Sequence, residues 1–379
     1  MRQVLLTVLI VSIFLCVPAS GTDNTPKKVS SDELVQIVGA AQGVHDADMA
    51  KKLAGLELTQ RLSGTRLDEL TSKLPGDKSR FELMLLADQS IFLLPPESEK
   101  PADAVPTTAA VQEMLNKLVN YVNETVRQLP NLMATRFTNG FQDQPREEFP
   151  GRNGIEIRVY KPLHWVGSLK TEVTYRDRQE MEEKGVKVEK KGEGVGGLIT
   201  SGEFGPVLST VLADAVKGKI AWTRWEKGSD GTLAVFHYQV PEDKSNYYVR
   251  FCCTYDSAIA GGTPEMHLVN DRSSYHGDIV FSPTDGSIRL LTLEADMAAG
   301  ALVSSAGIAI EYAATDIGGH SYICPVRSVS ILRTHTGHQP GTPPGVNYRD
   351  PVRTFMNDIT FTNYRRFGSE TKVLTSLPN

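Results

Sequence analysis

Ala234-Val235-Phe236-His237-Tyr238-Gln239-Val240 is the stretch on which the fold turns. Successive side chains of an extended strand point to opposite faces. Ala234, Phe236, Tyr238 and Val240 therefore share one apolar side, and His237 lies on the other, more polar one. This period of two predicts an antiparallel strand with one covered face.

The same cadence recurs on both sides of that strand. Ile155, Ile157 and Val159 alternate with polar residues, as do Val173 and Tyr175, Ile308, Ile310 and Tyr312, and Ile359 and Phe361. Further strands are expected near 219–225, 246–254, 276–281, 287–294, 319–333 and 370–374. Turn signals at Ser229-Asp230-Gly231, Asp285-Gly286 and Gly318-Gly319 separate them. About eleven strands joined mostly by hairpins make one large antiparallel sheet. One helix interrupts it, over 206–216, with Val207, Leu208, Val211, Leu212 and Ala215 apolar, and is placed over the sheet's concave face. The Gly- and Pro-rich stretch 334–353 reads as a long mobile loop.

Upstream the period is helical. Ser30 and Glu33 make a capping box ahead of Leu34, Ile37, Val38 and Ala41. Helices follow near 46–55, 66–74 and 79–91, the last two stopped by Pro75-Gly76 and Pro95-Pro96. Val111, Met114, Leu115, Leu118, Val119, Val122 and Val126 form the clearest amphipathic stripe, read as core packing. Residues 20–28 are polar and read as disordered. The fold class is thus α+β: a helical region over 29–134 packed with a large curved antiparallel sheet over 135–379.

Arg2 followed by the apolar run Val4 to Val17 has the length of a signal peptide, with small residues favouring cleavage after Ala19 or Gly21. Residues 1–21 are therefore read as a leader, and the mature chain as periplasmic or secreted with no transmembrane segment. The 40 basic and 45 acidic residues nearly balance, which argues against nucleic acid or an anionic membrane surface as partner. An oxidising compartment allows one disulfide among Cys252, Cys253 and Cys324. Alternation puts Cys253 on the core side with Val249 and Phe251, so Cys253–Cys324 is the expected pair. A vicinal Cys252–Cys253 bond or three free thiols are the alternatives.

No catalytic residue and no cofactor is assigned. Gly192, Gly194 and Gly197 spell G-x-G-x-x-G, but Lys190-Lys191 stand where an apolar strand should precede. His335 and His338 lie three apart with no third ligand, so no metal site is assigned. His237 and His276 read as hydrogen-bonded structural histidines. There is no G-x-S-x-G elbow, and Cys252 and Cys253 lie on a strand, where nothing lowers a thiol pKa. The charged run Arg176 to Lys191 reads as a solvated hairpin or loop. Trp222 and Trp225 are expected on opposite faces of one strand.

Several stretches carry a resemblance. Tyr275-His276-Gly277-Asp278-Ile279, Leu290 to Asp296, Ile317 to Pro325, Asn357 to Phe361, Leu56 to Ser63 and Gly202-Glu203-Phe204-Gly205-Pro206 resemble a group of secreted acidobacterial proteins to which no activity is assigned. More distantly, the cadence of Gly286 to Leu291 and the Asn363 to Phe367 segment is similar to lipoprotein-sorting carriers of the LolA/LolB type. That resemblance covers roughly residues 150–375, and it implies a curved, unclosed barrel with helices in its mouth that binds acyl chains.

Two functions are carried forward. The first is non-catalytic binding of a lipid, lipoprotein acyl chain or other apolar ligand against the sheet's concave face, with Trp222, Phe236, Tyr238, Leu208 and Leu212 as ligand-binding residues. The alternative is a protein-interaction or envelope-assembly module, with another envelope protein as partner and no small ligand.

Overall fold

The computed structural model describes residues 26–40, 43–145, 147–151, 154–158, 160–182, 186–190, 195–229, 231–255, 266–298, 301–335 and 352–366. The leader with Ala19 and Gly21, Gly192 and Gly194, His338 and the strand expected at 370–374 lie outside the described residues. So does most of the loop expected over 334–353. Its two ends, 334–335 and 352–353, instead lengthen strands.

The N-terminal unit runs β1 (Lys27–Val29), α1 (Ser31–Gly39), α2 (Asp46–Ala54), β2 (Leu56–Leu58), α3 (Gly64–Lys73) and α4 (Asp77–Gln89). The capping box at Ser30 forms as expected: its hydroxyl accepts from Glu33 N at 3.2 Å, and Glu33 Oε2 accepts from Ser30 N at 2.8 Å. α4 begins at Gly76, which has no capping side chain, and Asp46 serves instead. Its carboxylate accepts from Ser79 N at 2.9 Å and from Ser79 Oγ at 2.7 Å. These bonds hold the Asp46 carboxyl below its ordinary range. Leu34, Val38, Met49, Leu53, Leu70 and Leu83 close a core of their own. The disorder expected over 20–28 is corrected at its end, because Lys27–Val29 pairs in parallel with Leu56–Leu58, while 20–25 lie outside the described residues. A three-residue strand carries too little alternation to be read from sequence.

Next comes α5 (Thr108–Gln128), then β3 (Leu132–Gln144), β4 (Glu147–Gly151), β5 (Gly154–Arg158), β6 (Lys161–Arg176), β7 (Gln179–Glu182), β8 (Val186–Lys190) and β9 (Gly197–Leu198). The run read as a solvated hairpin or loop therefore holds the strands β7 and β8. After α6 (Pro206–Lys217) follow β10 (Lys219–Gly228), β11 (Gly231–Val240), β12 (Tyr248–Tyr255), β13 (Met266–Arg272), β14 (Ser274–Phe281), β15 (Ile288–Asp296), β16 (Val303–Asp316), β17 (Ser321–His335) and β18 (Val352–Arg366).

Among the described residues eleven strands form one open antiparallel sheet, in the order β10-β11-β14-β15-β16-β17-β18-β3-β6-β7, with β8 also on β6. The last strand, β18, lies between β17 and the sheet's first strand, β3. β13, β12 and β9 form a separate three-stranded sheet. Among the described residues no helix is long and apolar enough to cross a membrane.

The face with Phe236, Tyr238, Ile279, Leu291, Leu293, Ile308 and Ile310 is covered by α5 through Met114, Leu118 and Val122 and by α6 through Leu208, Val211, Leu212 and Ala215. Each such side chain contributes about 1.5–3 kcal/mol by leaving water. Gly277 shows how tightly this face is packed. A Cβ there would sit 1.9 Å from Thr292 O and 2.8 Å from the Tyr238 hydroxyl. That hydroxyl itself donates to Thr292 O at 2.6 Å.

The expectation of one covered face is corrected as well. α4 lies on the opposite face, where Leu85, Ile91, Phe81, Met84 and Phe92 meet Phe141, Ala309, Val329, Ile331 and Met356. α4 is thus apolar on two sides: Leu83, Leu86 and Ala87 face its own unit while Leu85 faces the sheet. The placement of Trp222 and Trp225 on opposite faces is likewise corrected. A β-bulge between Trp222 and Arg224 adds a residue, so both indoles pack on the α5/α6 side with centroids 5.7 Å apart.

Candidate functional site

The residues Gly202-Glu203-Phe204-Gly205-Pro206 build the entrance to α6. Gly202 takes a positive φ of 91°, which favours glycine, and Pro206 fills a first-turn position that needs no amide donor. Phe204 drops into an aromatic nest of Tyr175, Phe361 and Tyr364. α6 is held at its other end by Asp214, whose buried carboxylate accepts from Asn246 N at 2.7 Å, Asn246 Nδ2 at 2.6 Å and the Tyr275 hydroxyl at 3.1 Å. Burial and that carboxylate push the Tyr275 phenol well up.

Anchored in this way, α6 leaves a cleft of about 300 Å³ between its flank and β12. One wall is Pro206, Val207, Thr210 and Val211; the other is Ile199, Tyr247, Tyr248 and Arg250. The floor is Leu293 and Ile308, which face each other directly across β15 and β16. The cleft therefore reaches the main sheet itself. At the rim, Arg250 Nη2 donates to Ser201 Oγ at 2.9 Å.

Behind Thr200, which also lines the cleft, lies a buried charge cluster. Arg136 donates through Nη1 to Thr200 O at 3.2 Å and through Nη2 to Thr200 Oγ1 at 2.5 Å, and its Nη2 is 3.5 Å from Glu203 Oε1. Glu180 Oε2 accepts from Phe204 N at 3.3 Å. Burial, reinforced by the Glu203 charge, pushes the Glu180 carboxyl up to about 8. The cluster fixes the loop that enters α6 and so shapes the cleft from behind.

The five residues expected to bind ligand lie elsewhere. Phe236 and Tyr238 are wholly buried, and Leu208 and Leu212 nearly so, in the core between α5, α6 and the sheet. Trp222 is half-buried against the edge of that core. Tyr238 approaches the cleft only through a row of rings, touching Tyr275, which touches Tyr247. The adjoining flank of α6, Pro206, Val207, Thr210 and Val211, forms the cleft. Sequence held two usable signals for it: the adjacent aromatics Tyr247 and Tyr248, and Val207, apolar on a helix whose Leu208, Val211 and Leu212 fill the core. Nothing marked Ile199 or Thr200.

Cys324 is a free, buried thiol, and burial pushes its pKa up to about 12. The side chain of Cys253, its expected partner, lies outside the described residues. His335 stands at the end of β17, its backbone N donating to Leu302 O at 2.9 Å. His237 and His276 each contact a carboxylate through Nδ1, Asp278 and Asp296 respectively, at 2.8 Å. Among the described residues no group of three or more His, Cys, Asp and Glu side chains is gathered to hold a metal ion.

No protein family, curated protein or solved structure matches this chain.

Proposed function

We propose that the protein is a non-catalytic binder of a small, largely apolar ligand, held in the cleft between α6 and β12. The observation that carries this reading is the cleft of about 300 Å³ itself, walled by Val207, Ile199 and Tyr247 and backed by the buried Leu293 and Ile308. Each methylene buried there would contribute about 0.8 kcal/mol, so an apolar trough with a few polar rim groups is sufficient. A volume of about 300 Å³ is at the low end for ligand sites. At roughly 30 Å³ per water-sized group it takes about ten non-hydrogen atoms, enough for a short acyl chain or the tip of a long one. The LolA/LolB-like character of the sheet and an envelope or periplasmic location belong to this proposal. They are supported by the openness of the sheet, the packing of α5 and α6 over the face that carries the cleft and the leader-like residues 4–17.

Titration with a fluorescent fatty-acid probe tests the reading. Saturable binding of one probe per chain, weakened at least tenfold by Val207→Trp in the cleft wall, is the expected result. A probe that gains no fluorescence, or that binds the variant unchanged, rejects it.

The second reading, a protein-interaction module, is favoured by Leu94 and Val105, which are 60% and 75% exposed on the segment joining α4 to α5.

A further inference from the structure

His237 on β11 and His276 on β14 stand on the sheet face opposite α5 and α6. The register pairs His237 with Asp278 and Gln239 with His276, so the two histidines are diagonal neighbours on adjacent strands. Their ring centroids are 5.9 Å apart. Both side chains are about one-third exposed, at 34% and 36%, so the pair is open to solvent.

Each imidazole is oriented in the same way. His237 Nδ1 lies 2.8 Å from Asp278 Oδ1, and His276 Nδ1 lies 2.8 Å from Asp296 Oδ1. A carboxylate at Nδ1 holds the proton there and leaves the Nε2 lone pair available, which is the usual arrangement behind a metal-bound histidine. Asp278 is braced in turn by Arg224 Nη2 at 2.7 Å, and Arg224 by Glu226 at 2.7 Å. Arg61, from the N-terminal unit, pairs with Glu226 from the other side. Glu294 faces His276 directly across β14 and β15, with Oε1 3.9 Å from Nε2. Four carboxylates against two guanidinium groups leave the patch net negative, which favours a cation.

Two ordinary surface ion pairs would need neither ring to use the same nitrogen as its neighbour, nor the rings to adjoin. We propose that His237 and His276 form a two-imidazole chelate for a divalent transition-metal ion, with Glu294 as a third donor and water completing the shell. Two nitrogen ligands and one carboxylate suit Cu(II) and Zn(II), with Cu(II) held more tightly. Only the imidazole pair is drawn together without the ion, so the site is an exchangeable one. Glu294 has to turn towards it on binding. Bound metal would link β11 to β14 and, through Glu294, to β15.

The test is titration of the full chain with CuCl2 and with ZnCl2 by calorimetry, with the imidazole proton resonances followed by NMR. The expected result is one equivalent bound, with shifts confined to His237 and His276. His237→Ala and His276→Ala should each weaken binding at least a hundredfold. Asp296→Asn should weaken it about tenfold by loosening the ring of His276. The His335→Ala/His338→Ala double variant should bind as the parent does. Circular dichroism of each variant confirms that the fold is kept. Binding that survives His237→Ala in a folded protein, or that fails to saturate at millimolar metal, overturns the proposal.

Discussion

The two faces of the main sheet are covered by different means. On one, α5 and α6 lie on an apolar floor of Phe236, Ile279, Leu291 and Ile310, with Leu118 wholly buried between them. On the other, the apolar contact of α4 is smaller and is bordered by charge. Arg327 reaches from β17 to Asp88 of α4, to Asp358 at 3.0 Å and to Glu311 at 3.5 Å. Arg61 of the N-terminal unit reaches Glu226 on β10. The first face is built from a pattern repeated along the chain and is indifferent to any one partner. The second depends on a few charges far apart in sequence that must meet. Burial stabilises the first, whereas pairing positions the second, because a buried ion pair adds little net stability but is costly to break.

The largest effect separating the two faces is expected at Arg327. Arg327→Ala leaves Asp88, which is wholly buried, without its guanidinium partner, at a cost of about 3–5 kcal/mol. Denaturant unfolding followed by probes in each part should then show the N-terminal unit melting before the sheet. A single coincident transition would remove the distinction. Leu118→Ala should cost about 3 kcal/mol and shift one common transition, because it opens a cavity in the shared core of the first face. Tyr238→Phe removes the bond to Thr292 O and should cost roughly 1–1.5 kcal/mol in the same assay, with no change in cooperativity.

The smallest effect is a slope with pH. Burial raises the Glu82 carboxyl on α4 from its ordinary 4.5 to about 7. The folded state therefore binds the proton more tightly than the unfolded chain does. The stability this gives is fully present below pH 4.5 and is lost as pH rises through 7. Discounted for partial solvent screening, the loss is on the order of 1 kcal/mol. Glu82→Gln should flatten the melting temperature between pH 5 and pH 8, measured against the parent over about that interval. A parallel slope in both proteins would sink the assignment.

The first face was legible and the second was not, for a physical reason. Leu118 and its neighbours recur every three or four residues, and Phe236 and Tyr238 every two. A reader of sequence sees those periods because the backbone geometry imposes them. α4 carries apolar residues on two sides, so no single stripe showed that it had two neighbours. Asp88 and Arg327 lie 239 residues apart, and no local rule joins them. The bulge at Trp222 broke the count of two within one strand. The cleft escaped for a related reason: it is what remains between α6 and a second small sheet, and its shape depends on where Asp214, Phe204 and Arg136 fasten a loop.

One feature of the topology bears on how the molecule is made. The strand over residues 352–366 is the seam between the β10-to-β17 block and the β3–β6 block. A ribosome delivers it after every other described strand of that sheet. Until it arrives, a growing chain holds two half-sheets, each ending in a bare row of amides and carbonyls ready to pair with any strand nearby. A chain stopped before Val352 would then yield sticky halves, so that this one strand governs whether the product stays dispersed.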